Sequence, residues 1–253
     1  MRRFAIAGAA LLSLAAGSAI AADLPARIPV KAPLLAPVSA YYWSGFYAGL
    51  NGGGASSNLC LTIFSDNGRP VGPTLEGCHD ATGGVIGAQL GYRWQAANWV
   101  FGLEAQGDWA NLRGSNAIGP VLIPATNETR IDAIGLFTGQ VGYAWNNVLW
   151  YVKGGVAVTN NSYSTFFTAN NVVYNQAREA RWGGVIGTGI EYGFAPNWSL
   201  ALEYDHLFLG TKSVTFPASA IAVTRSVDVK QDVDMGTIRV NYRFGGGSVV
   251  AKY

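Results

Sequence analysis

Met235-Gly-Thr-Ile-Arg-Val-Asn-Tyr-Arg-Phe244 is the stretch that decides how this chain reads. Ile238, Val240, Tyr242 and Phe244 fall in one phase, and Thr237, Arg239, Asn241 and Arg243 in the other. A period of two gives a strand with one apolar face and one strongly polar face. In a soluble sandwich the apolar face meets a core and the arginines meet water. In a barrel that spans a membrane the apolar face meets lipid and the arginines line a polar lumen.

The N-terminus favours export. Arg2 and Arg3 precede an apolar stretch from Phe4 to Ala16, and Ala19-Ile-Ala21 offers a small-x-small cleavage site. This pattern predicts a signal peptide over residues 1–21, too short for a membrane anchor. The chain has 17 basic and 15 acidic residues. Loss of Arg2 and Arg3 leaves the mature protein formally neutral, which points away from nucleic acid and from an anionic substrate. The 33 glycines and a charged fraction of only 13% are unusual for a soluble domain. No mature segment is apolar for the ~18 residues of a membrane helix. Residues 22–42 read as an extended periplasmic lead, because Pro25, Pro29, Pro33 and Pro37 recur every fourth position and block both helix and sheet.

From Trp43 onward, strand-like runs recur near 43–55, 82–94, 98–110, 131–145, 148–160, 180–194, 198–210 and 232–244. Gln95–Ala97, Asn146–Asn147 and Ala195–Asn197 make tight connections; the other four connections are long, at about 26, 20, 19 and 21 residues. Strict alternation of short and long connections between an even number of strands is the pattern of an up-and-down transmembrane barrel. The expected fold is therefore all-β: one eight-stranded antiparallel barrel over residues 43–244, with a Gly-rich extension at 245–253. Two halves echo each other. Gly83–Gly87 recurs as Gly183–Gly187, and Asn98-Trp99 with Leu103-Glu104 recurs as Asn197-Trp198 with Leu202-Glu203.

The polar phases place Arg93, Glu104, Asp108, Lys153, Glu191, Glu203, Asp205, Arg239 and Arg243 on the inner face. Eight strands leave an interior that side chains can fill, and a buried unpaired ion costs several kcal/mol. The expectation is an ion-pair network that fills the lumen and fixes strand register; a selectivity lining is the other reading. Cys60 and Cys78, the only cysteines, fall in the first long connection. In an oxidising compartment they are expected to form a disulfide, and their spacing does not suit zinc. Asp205 and His206 are strand neighbours, so they point to opposite faces and make no catalytic dyad. The glycine clusters open no helix and so form no phosphate loop; they suit close packing in a curved sheet. No enzymatic activity, cofactor or metal is expected.

Trp43-Ser-Gly-Phe-Tyr-Ala-Gly-Leu50, Tyr151-Val-Lys-Gly-Gly-Val-Ala157, Gly189-Ile-Glu-Tyr-Gly-Phe-Ala-Pro-Asn-Trp198 and Val240-Asn-Tyr-Arg-Phe244 carry a resemblance. In this order the chain resembles the small outer-membrane β-barrel proteins of alphaproteobacteria, within the OmpA-like and opacity-type porin superfamily. The resemblance covers about residues 41–244. It implies a closed barrel in the outer membrane, in contact with lipid and lipopolysaccharide, with surface loops and no catalytic residues. It also implies that a terminal aromatic is read by the barrel-assembly machinery. Here nine residues follow Phe244 and end in Tyr253; strand phase favours Phe244 as that signal. The preferred function is a structural, surface-exposed protein supporting envelope integrity. The alternatives are a narrow porin for small solutes and a barrel that contacts a host surface, haem or another ligand through its loops. The sequence leaves the oligomeric state open.

Overall fold

The structure, a computed structural model, describes residues 41–118, 124–218 and 223–245. The expected signal peptide, nearly all of the proline-rich lead and Tyr253 lie outside the described residues. Eight strands follow in order: β1 Gly45–Asp66, β2 Arg69–Ala96, β3 Trp99–Ala117, β4 Ala125–Trp145, β5 Val148–Phe167, β6 Val173–Ala195, β7 Trp198–Phe216 and β8 Arg225–Phe244. Each pairs antiparallel with its neighbours, and β1 pairs with β8, from Phe46↔Phe244 to Asp66↔Arg225, to close the barrel. Closure pairs every strand on both sides, which is what backbone polar groups need in lipid.

Toward the short-turn end, the outward positions are apolar. On β3 these are Trp99, Phe101, Leu103 and Trp109; on β8 they are Ile238, Val240 and Phe244. The outward band from Trp99 to Trp109 spans about 25 Å once strand tilt is allowed for, the height of a hydrocarbon layer. Aromatic rings pair across strands at its lower rim: Phe46 with Tyr92 at 4.7 Å, Trp99 with Tyr143 at 5.4 Å and Trp198 with Tyr242 at 5.0 Å. Such pairs suit a membrane interface.

The strands do not stop at the upper rim of this band. The four long connections expected as loops are largely strand, so β1 and β2 run 22 and 28 residues and meet in a two-residue turn. Asn67 and Gly68 in that turn have φ of 50° and 72°, as a type I′ hairpin turn requires. The reason lies in a second alternation, of opposite polarity. On β8, Val227, Val229, Val233 and Met235 point inward and are buried, while Asp228, Lys230, Asp232 and Asp234 alternate with them on the outside. Below Met235 the same strand carries arginines inside and apolar residues outside. Leu59, Leu61, Leu112, Ile131, Leu207, Val214 and Phe216 join the inner cluster from other strands. The barrel is thus inside-out at membrane depth and ordinary, with an apolar core, above it. Burial of that core favours the extended hairpins, as the hydrophobic effect acts in water but not in lipid.

The start of β1 also differs from expectation. Tyr41 to Ser44 are not strand. Trp43 is 2% exposed and packs with Tyr41, Val100, Leu149 and Tyr151. The Trp43 amide donates to Gln95 Oε1 at 2.9 Å, and the Tyr41 amide to Asn147 Oδ1 at 3.2 Å. This segment therefore turns in at the short-turn end of the barrel.

Candidate functional site

Charged side chains concentrate out of solvent in the lumen at membrane depth. Two similar units build it. On β1, Tyr47 pairs in register with Gly91 on β2, which pairs with Glu104 on β3. The Tyr47 hydroxyl donates to Glu104 Oε2 at 2.6 Å. On the opposite wall, Tyr151 on β5, Gly189 on β6 and Glu203 on β7 repeat the arrangement, and the Tyr151 hydroxyl donates to Glu203 Oε2 at 2.5 Å. Glycine is required between them. A Cβ at Gly91 would lie 2.5 Å from the Tyr47 hydroxyl oxygen, and one at Gly189 would lie 2.5 Å from the Tyr151 ring.

Two cations bridge the units. The Arg239 guanidinium reaches Glu104 Oε2 at 2.5 Å with one nitrogen and Glu203 Oε2 with the other. Lys153 Nζ lies 2.7 Å from Glu203, 3.2 Å from Asp205 and 3.6 Å from Glu104. One layer nearer the short turns, Arg93 pairs with Glu191 at 2.8 Å. Its Nε donates to Gln140 at 3.1 Å, and its guanidinium sits 4.4 Å from the Tyr47 ring centroid. Glu191 also accepts from Asn241 at 3.0 Å and from Ser199. Gln89 links Asn241 to Asn51, at 2.8 and 2.9 Å.

All nine residues read onto the inner face are buried, but they do not form one ion-pair network. Seven of them make carboxylate–cation contacts with one another. Asp108 takes a hydrogen bond from Gln106 at 2.9 Å and has no ion pair among the described residues. Arg243 stands at the mouth, where it donates to the backbone carbonyls of Gly245 at 2.7 Å and Pro196 at 2.9 Å. At that level turns expose carbonyls, and Arg243 has no ion pair among the described residues. The sequence reading missed the neutral partners Tyr47, Tyr151 and Gln140, which the inward phase of each strand already contained. It also missed Arg181, fully buried higher up, which donates to Gln231 at 3.1 Å and to the Val229 carbonyl.

Cys60 and Cys78 sit directly opposite each other on β1 and β2, Cα atoms 4.1 Å apart, joined as a disulfide. They staple two paired strands rather than a loop. His79, beside Cys78, makes a 3.0 Å hydrogen bond with Thr129, and burial lowers its pKa from the ordinary value. Asp205 is buried in the lumen, whereas His206 points outward and contacts Asp234 at 2.7 Å. Phe244 ends β8 with its ring outward, 5.0 Å from Tyr242.

A closed eight-stranded ring, apolar outside over a membrane's height and charged inside, defines an integral outer-membrane β-barrel. Residues 7–244 match the outer membrane protein beta-barrel domain family, and the chain belongs to that family. It is 30% identical over 212 residues to the 31 kDa outer-membrane immunogenic protein of Brucella melitensis, covering 81% of this chain and 85% of that one. The Brucella suis protein of the same name matches equally. Among solved structures, the outer membrane protein OprG of Pseudomonas aeruginosa superposes with a TM-score of 0.52 at 15% identity, covering 81% of this chain and 99% of that one. The outer membrane protease OmpT of Escherichia coli gives 0.50 at 8% identity, covering 79% and 97%. At these identities the two structures share a fold with this chain, and nothing finer follows.

Proposed function

We propose that this outer-membrane barrel is a closed, structural, surface-exposed protein that supports the envelope and does not conduct. The observation carrying this reading is that the lumen is filled at three successive levels. Tyr41 and Trp43 occupy the short-turn mouth, the Glu104–Arg239–Glu203–Lys153 group fills the middle, and the apolar cluster around Leu207, Val233 and Met235 fills the outer half. An ion crossing the barrel would have to break the middle layer and then enter an apolar one, each at a cost of several kcal/mol.

The strand extensions suit surface display. Four pairs of strands rise beyond the apolar band as a continuation of the barrel wall, which carries their outer ends away from the membrane. The Brucella relative's description as immunogenic accords with exposure of this kind. The reading is non-enzymatic: Asp205 and His206 stand on opposite faces of β7, and seven of the nine charged groups in the lumen are engaged with one another. Assembly through the terminal strand, with Phe244 as its signal, belongs to the same proposal.

The test is conductance of the purified full chain in a planar bilayer. The closed reading expects no steps above baseline at moderate voltage. Steady, sizeable single-channel steps would overturn it in favour of a narrow porin.

A further inference from the structure

Just above the outer aromatic rim, three arginines share one row across neighbouring strands. Arg113 on β3 lies opposite Arg130 on β4. Arg130 lies opposite Ser162 on β5, and Ser162 opposite Arg178 on β6. All point outward, alternating with the inward-facing Leu112, Ile131 and Arg181. Arg113 stands four residues beyond Trp109, and Arg178 four residues before Trp182; those tryptophans are 74% and 63% exposed on the lipid side. At strand rise and tilt this places the row roughly 10 Å above the rings, at headgroup level.

Like charges directly opposite each other on a sheet destabilise it unless an anion intervenes. The protein supplies little. Arg113 Nε donates to the neutral Asn111 at 2.9 Å. Arg130 Nε is buried without a hydrogen-bond partner, and its one carboxylate neighbour, Glu128, is 3.6 Å away. Arg178 has no hydrogen-bond or ion-pair partner among the described residues, and Asp132, in the adjacent bulge, pairs with none of the three. Strand spacing sets Arg113 and Arg130 about 5 Å apart and Arg178 about 10 Å further on, a span suited to two separate anionic groups. The other side of the barrel, above the apolar band, has the opposite character. Asp232, Asn58 and Asp80 share a row across β8, β1 and β2.

We propose that the Arg113–Arg130–Arg178 row binds the phosphate groups of an outer-leaflet glycolipid, whose acyl chains lie against the apolar wall beneath. Charge complementarity and continuity with the lipid-facing band carry the assignment, and guanidinium is the side chain whose planar fork fits phosphate. The site lies on one side only, over β3–β6, so bound glycolipid gathers there and not beside the acidic row. The inference needs the outer-membrane placement, not the closed lumen: a conducting barrel that still bound glycolipid would remove the closed reading and leave this one standing.

The experiment uses the full chain purified from membranes, delipidated in detergent and titrated with diphosphoryl lipid A by native mass spectrometry. Heat-modifiable gel migration checks that each variant is folded. The row predicts that R113Q/R130Q/R178Q weakens binding at least tenfold and that R178Q alone, which breaks no hydrogen bond or ion pair among the described residues, weakens it several-fold. K230Q, outside the row, should leave binding unchanged, and fully dephosphorylated lipid A should bind the wild type as poorly as the triple variant binds the intact lipid. Binding of the triple variant within twofold of wild type would overturn the proposal. So would equal loss in K230Q, or equal affinity for the dephosphorylated lipid. An acyl-free sulfated oligosaccharide that bound as tightly as lipid A would make the row a polysaccharide site and end the lipid assignment.

Discussion

Arg93 on β2 and Glu191 on β6 occupy corresponding places in the two halves of the barrel, and their charged groups meet 2.8 Å apart. Each stands two residues beyond the glycine that receives a tyrosine ring, Gly91 for Arg93 and Gly189 for Glu191. The halves are thus alike in the Tyr–Gly–Glu unit and opposite in charge one layer below. That opposition lets the repeat close on itself: two arginines or two glutamates facing each other in a space this narrow would repel at low dielectric.

Removing one partner should therefore cost more than removing both. Glu191→Ala leaves Arg93 unpaired, and about 3–5 kcal/mol of stability should be lost. R93M/E191L, apolar and of similar volume, should lose much less. Urea unfolding in lipid vesicles gives the midpoints, and additive losses would show that the pair is not coupled.

Gly189→Ala should destabilise the barrel by about 1–3 kcal/mol, because the new methyl group meets the Tyr151 ring and pushes its hydroxyl off Glu203. Gly107→Ala is the matched control, since nothing lies within 4 Å of the Cβ it would gain. Equal midpoints for the two variants would show that the ring yields without cost.

Trp43→Ala removes the largest side chain at the short-turn mouth and should cost about 3–5 kcal/mol. It should not by itself raise conductance, since the charged layer and the apolar outer half remain. R239A/V233G, which opens both remaining layers, should produce conductance steps in those molecules that still fold. Steps from Trp43→Ala alone would locate the only seal at the mouth.

Reduction of the Cys60–Cys78 bond should leave heat-modifiable migration intact, as the pair lies in the extension above the membrane band. The expected change is local. Faster proteolysis near Asn67 and faster amide exchange at the tip of the β1–β2 hairpin would mark it, and loss of the folded band on gels would refute it.

His79 should titrate below the ordinary histidine value, because burial disfavours the imidazolium. The unfolded chain then takes up its proton first as pH falls. The contribution of His79 is full above about pH 6.5 and declines from there down through its lowered folded pKa. Histidine NMR titration gives the pKa directly, and His79→Phe should flatten the stability profile in that window. A folded pKa at or above the free value would reverse the sign.

Local pattern was enough to number the strands, place the three tight turns and assign inward and outward faces. Side-chain direction on a strand has period two whatever the neighbours are, so Trp99, Phe101 and Leu103 against Glu104 and Gln106 could be read directly. The expected loops rest on one polarity along each strand, and the strands have two. Val227, Val229, Val233 and Met235 alternate as cleanly as Ile238, Val240, Tyr242 and Phe244, but with the apolar face turned inward, and of these Val227 and Val229 fall in a stretch expected to be a loop. Only the closed tertiary structure settled where one polarity gives way to the other, because that depends on which residues sit at the same height on eight strands. The same holds for pairing. That Arg239 bridges Glu104 and Glu203, 135 and 36 positions away, that Arg243 donates to carbonyls at the mouth, and that Arg113, Arg130 and Arg178 share a row are facts of register between strands. Sequence fixes which way a side chain points; the closure of the barrel decides what it meets there.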